Sequence, residues 1–360
     1  MNVSTYEFLT KESMRKTTMK SLRSALIVLC VLAIAVNAPA QVRKAGLNAA
    51  AFLKVGVGAR NVGLGSASSS ITEDVGQIFW NPAGIALRTE TMQGSFSYNK
   101  WIADLNHNAF GLSYKLGDVG TIGIGAIMFG VNGIPAYRDI APPALVSQQI
   151  DQATAGTYDY QDLALQATFA KQFSEQLSLG VTVKYISETL DDMTKSAFAV
   201  DLGSIYDIGS LGSFIHDWKI SARLNNMGSG IKYYDVESPI PITFGVGTSF
   251  KVLKDEKAGD LLLAVDAIKP RDSPQLFYVG GEYTFGNFLS VRGGYKVNYT
   301  GAEDEGTSTR TAIKQSIEGL SIGGGVRVEM EGYTLRFDYA MTSMDILDPV
   351  HRITLSVGMK

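Results

Sequence analysis

From residue 92 to the C-terminus, apolar and polar residues alternate with a period of two, segment after segment. Leu177, Leu179, Val181, Val183 and Tyr185 share one face, and Ser178, Gly180, Thr182 and Lys184 the other. Phe277, Val279, Gly281, Tyr283 and Phe285 alternate with Tyr278, Gly280, Glu282 and Thr284 in the same way, and Leu289–Val297, Leu320–Glu329, Tyr333–Tyr339 and Arg352–Met359 repeat the pattern. A helix would place its apolar residues three and four apart, so these segments are strands. The pattern predicts fourteen: 92–98, 107–116, 120–131, 159–173, 177–188, 197–207, 217–225, 241–252, 260–268, 275–285, 288–298, 318–329, 332–341 and 350–359. The sparsest alternation is in the seventh, around Trp218–Asn225. An even number of strands of this length fits a transmembrane barrel.

Alternation alone does not say which face is wet, because a soluble barrel or sandwich alternates as well. Three features favour lipid outside. The polar face is rich in Gly, Ser and Thr, as a crowded lumen requires. Aromatics recur near strand ends (Trp101, Tyr114, Phe173, Tyr206, Trp218, Tyr233, Tyr234, Phe285, Tyr299, Tyr339), where barrels carry interfacial girdles. The third is an export signal. Arg15, Lys16, Lys20 and Arg23 precede an apolar run from Ala25 to Val36, and Ala38-Pro39-Ala40 follows. This is a signal-peptide pattern with cleavage after Ala40, and the run is too short to span a bilayer. Met14 is an alternative start, since Glu7 and Glu12 sit oddly in a basic n-region. After residue 40 no apolar run is long enough for a membrane helix, so a membrane-spanning chain must close as a barrel. The expected organisation is a signal peptide (1–40), an N-terminal plug segment (41–91) and the barrel (92–360).

Composition excludes several classes. Charged residues make up 19% and Gly 38 of 360, which suits neither a disordered chain nor a disulfide scaffold. The net charge of −3, about −6 once a leader with five basic and two acidic groups is removed, argues against nucleic-acid binding. The one cysteine, Cys30, lies in the leader, behind a bulky Leu29 that a lipoprotein site would not favour. His107, His216 and His351 have no metal-ligand spacing and read as ordinary strand or turn residues. No nucleophile has a base beside it, so neither enzyme activity nor a cofactor is expected. Glu303-Asp304-Glu305 reads as a solvated acidic loop.

Tight connections at 117–120, 174–176 and 286–287 alternate roughly with longer ones at 132–158, 189–196, 226–239, 298–317 and 341–349. Short turns at one end and loops at the other are what a barrel needs. The polar faces carry Lys184, Glu282, Arg292, Lys296, Arg327, Glu329, Arg336, Asp338 and Arg352. Toward lipid each Arg or Lys would cost roughly 2–4 kcal/mol near the midplane, so these charges belong in the lumen. There they pair with one another, or contact a plug, solute or peptide.

Residues 46–91 do not alternate. Ala49–Val57 could form a turn or two of helix, Gly56, Gly58, Gly63 and Gly65 follow, then a short helix capped near Thr72. The glycines do not match a dinucleotide fingerprint: the third position is Asn61, and no βαβ unit surrounds them. They fit close backbone packing in a confined space. The string Ala51–Arg60, then Gly63-Leu64-Gly65, Glu73-Asp74 and Trp80-Asn81-Pro82-Ala83-Gly84 resembles the opening of the PorV/PorQ family, and Leu335–Ala340 with His351–Ser356 resembles its close. The final Val357-Gly358-Met359-Lys360 departs from the usual aromatic barrel terminus.

The resemblance implies a FadL-like, 14-stranded outer-membrane barrel with its N-terminal segment in the lumen and an Asn-Pro-Ala turn, here Asn81-Pro82-Ala83. It implies service in type IX secretion, with a translocon, a sortase and cargo carrying C-terminal signal domains as partners. It does not separate the PorV and PorQ branches from relatives without a role. A FadL-like conduit for hydrophobic molecules and an orphan structural barrel stay open. Arg60 is expected to pair with a wall carboxylate such as Asp338 or Glu282.

Overall fold

The computed structural model describes residues 48–136, 156–255, 258–273, 275–298 and 316–360. The leader with Cys30, most of the 132–158 connection, Tyr299 and the 303–305 acidic loop lie outside these residues.

Fourteen antiparallel strands form one closed barrel. In chain order they are β1 (Met92–Lys100), β2 (Asn106–Lys115), β3 (Thr121–Pro135), β4 (Thr157–Gln172), β5 (Leu177–Leu190), β6 (Met193–Leu211) and β7 (Ile215–Gly228). A two-stranded hairpin, β8 (Ile231–Tyr233) and β9 (Val236–Ser238), interrupts the meander. The barrel resumes with β10 (Thr243–Asp255), β11 (Gly259–Pro270), β12 (Leu276–Phe285), β13 (Leu289–Asn298), β14 (Leu320–Met330), β15 (Tyr333–Met344) and β16 (Leu347–Met359). β1 closes the ring against β16, with Phe96 opposite Leu355 and Asn99 opposite Arg352. Closure leaves no sheet edge, so every strand's backbone groups find partners without water.

Every expected strand is present, the sparse seventh included, which pairs with β6 and β10 along its length. Two expected loops are corrected. Residues 189–196 and 341–349 are tight hairpins, with only Asp191-Asp192 and Asp345-Ile346 between strands, because β5, β6, β15 and β16 run further out than their alternation shows. The 226–239 stretch holds the small hairpin. The ends of β2, β4, β6, β10, β12 and β14 where the chain turns briefly also hold the start of β1 and the end of β16. Short turns mark the periplasmic end of outer-membrane barrels.

The burial pattern is inverted relative to a soluble protein. Phe96, Phe110, Ile124, Leu165, Val183, Phe198, Val291 and Leu355 are exposed on the outer face, whereas Asp201, Asp266, Thr182, Ser321 and Arg352 are fully buried. Apolar outward and polar inward is the arrangement that lipid demands. No helix among the described residues is long and apolar enough to cross a membrane.

The segment 48–91 touches strands all round the ring. The one α-helix among the described residues, α1 (Ala59–Gly63), packs on β13–β16; the 3-10 turn Val75–Phe79 packs on β1–β3; the turn Pro82–Ala86 packs on β3–β6. Only a chain inside the ring can meet opposite walls, so this segment lies in the lumen. Its local structure differs from expectation in detail. A 3-10 turn covers Ala51–Lys54, the helix falls later, at 59–63, and Asp74 rather than Thr72 caps the next turn, accepting from the Gly76 N–H at 2.8 Å.

Two wall sites explain why glycine recurs on inward faces. A Cβ at Gly280 would lie 2.2 Å from the Leu64 carbonyl oxygen, and one at Gly294 would lie 2.2 Å from the Gly65 nitrogen. Across the lumen, Gly180 and Gly203 admit Pro82 and Asn81 equally closely. Backbone therefore packs on backbone at both sides of the barrel.

Candidate functional site: the lumen and its inner segment

The inner segment is tied to the wall by polar contacts at several depths. Near the outer end, the Ala50 N–H donates to Glu188 Oε1 at 2.7 Å, and Lys54 pairs with Asp272 at 2.7 Å. At mid-lumen Asp266, which has no solvent exposure, accepts from the Ser68 N–H (3.0 Å), the Ser69 N–H (2.9 Å) and Ser69 Oγ (2.6 Å). Trp80 Nε1 donates to the Val57 carbonyl at 2.9 Å, and Arg223 lies over its ring at 5.7 Å. Asn81 accepts from the Ala83 N–H at 3.1 Å and donates to the Ser69 carbonyl at 2.7 Å, so it fixes the Asn81–Gly84 turn from both sides.

Nearer the periplasmic end, Arg60 of α1 makes a two-pronged pair with Glu282 of β12, through Nε at 3.0 Å and Nη2 at 2.8 Å. Glu282 also accepts from Arg292 Nε, and Arg292 Nη1 reaches Asp338 at 2.6 Å. Of the two partners foreseen for Arg60, Glu282 is the direct one. Burial alone would weaken the Arg60 charge, but Glu282 and then Asp74 outweigh it and hold its pKa above the ordinary arginine value.

The other expected lumen charges have distinct settings. Lys184 pairs with Asp201 at 2.7 Å, and Lys296 with Glu318 at 2.5 Å. Arg352 is fully buried, donates to Thr342 Oγ1 at 3.0 Å and lies 5.1 Å from the Trp101 ring. Among the described residues, the one carboxylate that Arg336 reaches is Asp74, at 3.8 Å. Glu329 is nearly half exposed and joins Arg327 and Lys360 at 2.9 Å each, which puts this pair at the rim rather than deep inside. Of the glycines singled out, Gly56 faces Val62 and Trp80, Gly58 and Gly65 have positive φ (85° and 63°), Gly63 makes ordinary contacts, and Gly84 lies against Gln77. Asp201, Arg223, Asp266 and Glu318 were missed. Asp201 between Val200 and Leu202, and Asp266 between Val265 and Ala267, carried the signal: a carboxylate on the polar phase of an alternating strand.

Two cavities flank the inner segment. The outer one, about 440 Å³, is lined by Trp80, Phe79, Leu276 and Tyr278 together with Lys184, Arg223 and Lys296. The inner one, about 160 Å³, is predominantly polar and lies at the short-turn end. Among the described residues no three His, Cys, Asp or Glu side chains gather as a metal site.

This architecture defines a fourteen-stranded β-barrel of the outer membrane. The fold is similar to the Pseudomonas putida toluene transporter TodX (12% identity, 84% of this chain and 97% of that one, TM-score 0.52). It is also similar to the Ralstonia pickettii toluene transporter TbuX (13% identity, 84% and 97%, TM-score 0.50) and to the CymD monoaromatic hydrocarbon channel (11% identity, 85% and 98%, TM-score 0.51). At such identities the likeness speaks for fold alone. The family model of the type IX secretion system protein PorV matches residues 38–266, more than half of the chain, and the chain belongs to that family. No curated protein matches the sequence.

Proposed function

We propose that this barrel is a non-enzymatic accessory of type IX secretion that receives cargo bearing C-terminal signal domains from a translocon and passes it to the surface attachment machinery. Family membership over residues 38–266 carries the reading. The anchored inner segment supports it: ties at Glu188, Asp272, Asp266 and Glu282 suit a plug that stays in place while business is done at the outer end. That end offers exposed apolar side chains, Tyr234 and Val236 at the tip of the β8–β9 hairpin and Ile346 between β15 and β16, the kind of surface that binds protein.

One observation favours a second reading, a conduit for hydrophobic molecules: the outer cavity of about 440 Å³ with its aromatic lining. The two readings separate in a strain lacking this chain. Secretion service predicts that proteins with C-terminal secretion signals disappear from the surface and accumulate in the periplasm. Normal surface delivery, with impaired uptake of long-chain hydrophobic compounds, would reject it in favour of the conduit.

A further inference from the structure

The polar cavity at the short-turn end contains donors that no group among the described residues satisfies. Four arginines line it: Arg60, Arg292, Arg327 and Arg336. Glu282 and Arg292 are register partners, and Arg292 stands opposite Gly323, so Arg327 and Arg336 lie four residues nearer the periplasmic end of β14 and β15. Arg60 and Arg292 are matched by Glu282 and Asp338. Arg327 and Arg336 are not matched in this way. They are register partners on one face of β14 and β15, and like charges directly opposite are unfavourable on a sheet.

Arg336 makes no hydrogen bond among the described residues, and its nearest carboxylate oxygen, on Asp74, is 3.8 Å away and is shared with Arg60 at 3.9 Å. Arg327 Nη2 meets Glu329 at 2.9 Å, but its buried Nε has no partner. From the inner segment, Ser70 lines the same cavity; it is 1% exposed and its buried hydroxyl is also unpartnered. Asp217 and Asp260 lie in the lining too, but both are held by Lys251, at 3.3 and 2.7 Å.

We propose that this vestibule binds a phosphate group presented from the periplasmic side, between Arg327 and Arg336 on the wall and Ser70 on the inner segment. A planar carboxylate is matched in its own plane by a guanidinium fork, as Arg60 grips Glu282 while Arg292 adds a third donor. Here the open donors belong to two strands and to the inner segment, which suits a tetrahedral oxyanion with oxygens in several directions. A cavity of about 160 Å³ holds such a group, with whatever it is attached to left in the mouth. The site is independent of the secretion reading. Glu73, exposed in the lining and without a cationic partner among the described residues, opposes the anion.

The test is calorimetric titration of the full chain in an uncharged detergent at low ionic strength, with inorganic phosphate, glycerol 1-phosphate and acetate as probes. Phosphate is expected to saturate one site and to bind about tenfold or more tighter than acetate. R336Q and R327Q are each expected to weaken phosphate by a similar factor, and E73Q to tighten it. Tighter binding of glycerol 1-phosphate assigns the site to a lipid headgroup; equal binding assigns it to free phosphate. Equal binding of phosphate and acetate to the unaltered protein, which requires no variant to fold, would overturn the proposal. So would unchanged phosphate affinity in both arginine variants.

Discussion

Replacing Glu282 by glutamine removes the hub of the inner-segment anchor. The carboxylate accepts from Arg60 at 3.0 and 2.8 Å and from Arg292 as well. Arg292 keeps Asp338 at 2.6 Å, but Arg60 is left with Asp74 at 3.9 Å. Removing one partner of a buried ion pair costs about 3–5 kcal/mol, because the other charge stays buried and uncompensated. The Arg60 side chain is 15% exposed, at the edge of a polar cavity, so the lower end, about 3 kcal/mol, applies. Arg60→Met alone should cost less, since Glu282 retains Arg292. In the double variant most of the Glu282 penalty should vanish, a coupling of about 2 kcal/mol. The assay is urea unfolding of the lipid-reconstituted barrel, with hydrogen exchange of residues 59–67 to locate the change. A Glu282→Gln protein within about 0.5 kcal/mol of wild type, with no coupling to Arg60, would refute the claim that this pair anchors the segment.

Three further outcomes are expected. Gly294→Ala places a Cβ 2.2 Å from the Gly65 nitrogen, so the segment must move; a loss of about 1–3 kcal/mol and faster exchange at residues 63–67 should follow. Val183, about half exposed midway along β5, faces lipid, so Val183→Arg should destabilise the reconstituted barrel by about 2–4 kcal/mol while Val183→Leu is near neutral. Glu318 precedes β14; burial would raise its pKa, but Lys296 and then Arg352 pull it below the ordinary glutamate value. A depressed folded pKa gives stability that is present above the unfolded value of about 4.3 and lost as pH falls through the folded one. The stability gap between wild type and Glu318→Gln should therefore be open at neutral pH and close in acid, as acid-jump unfolding would reveal.

The strands were legible because lipid and a polar lumen impose opposite chemistry on successive residues, and period two records that directly. Strand type and number followed from it, and even the sparse seventh strand fell where Ala222, Leu224 and their polar neighbours put it. Strand ends were less legible. Beyond the membrane both faces are wet, alternation fades, and β5, β6, β15 and β16 continue through residues that read as loops. In the inner segment the glycines and the Asn81–Gly84 turn were visible as motifs, but their wall partners were not. Gly294 opposite Gly65 and Asp266 under Ser68–Ser69 are separated by long stretches of chain, and only the closed barrel brings them together. Local pattern thus determined the barrel, because a strand's two faces are set by its own residues. The tertiary structure alone decided which charges are matched and which donors stay open, because a buried charge's energy depends on neighbours that the chain supplies from elsewhere.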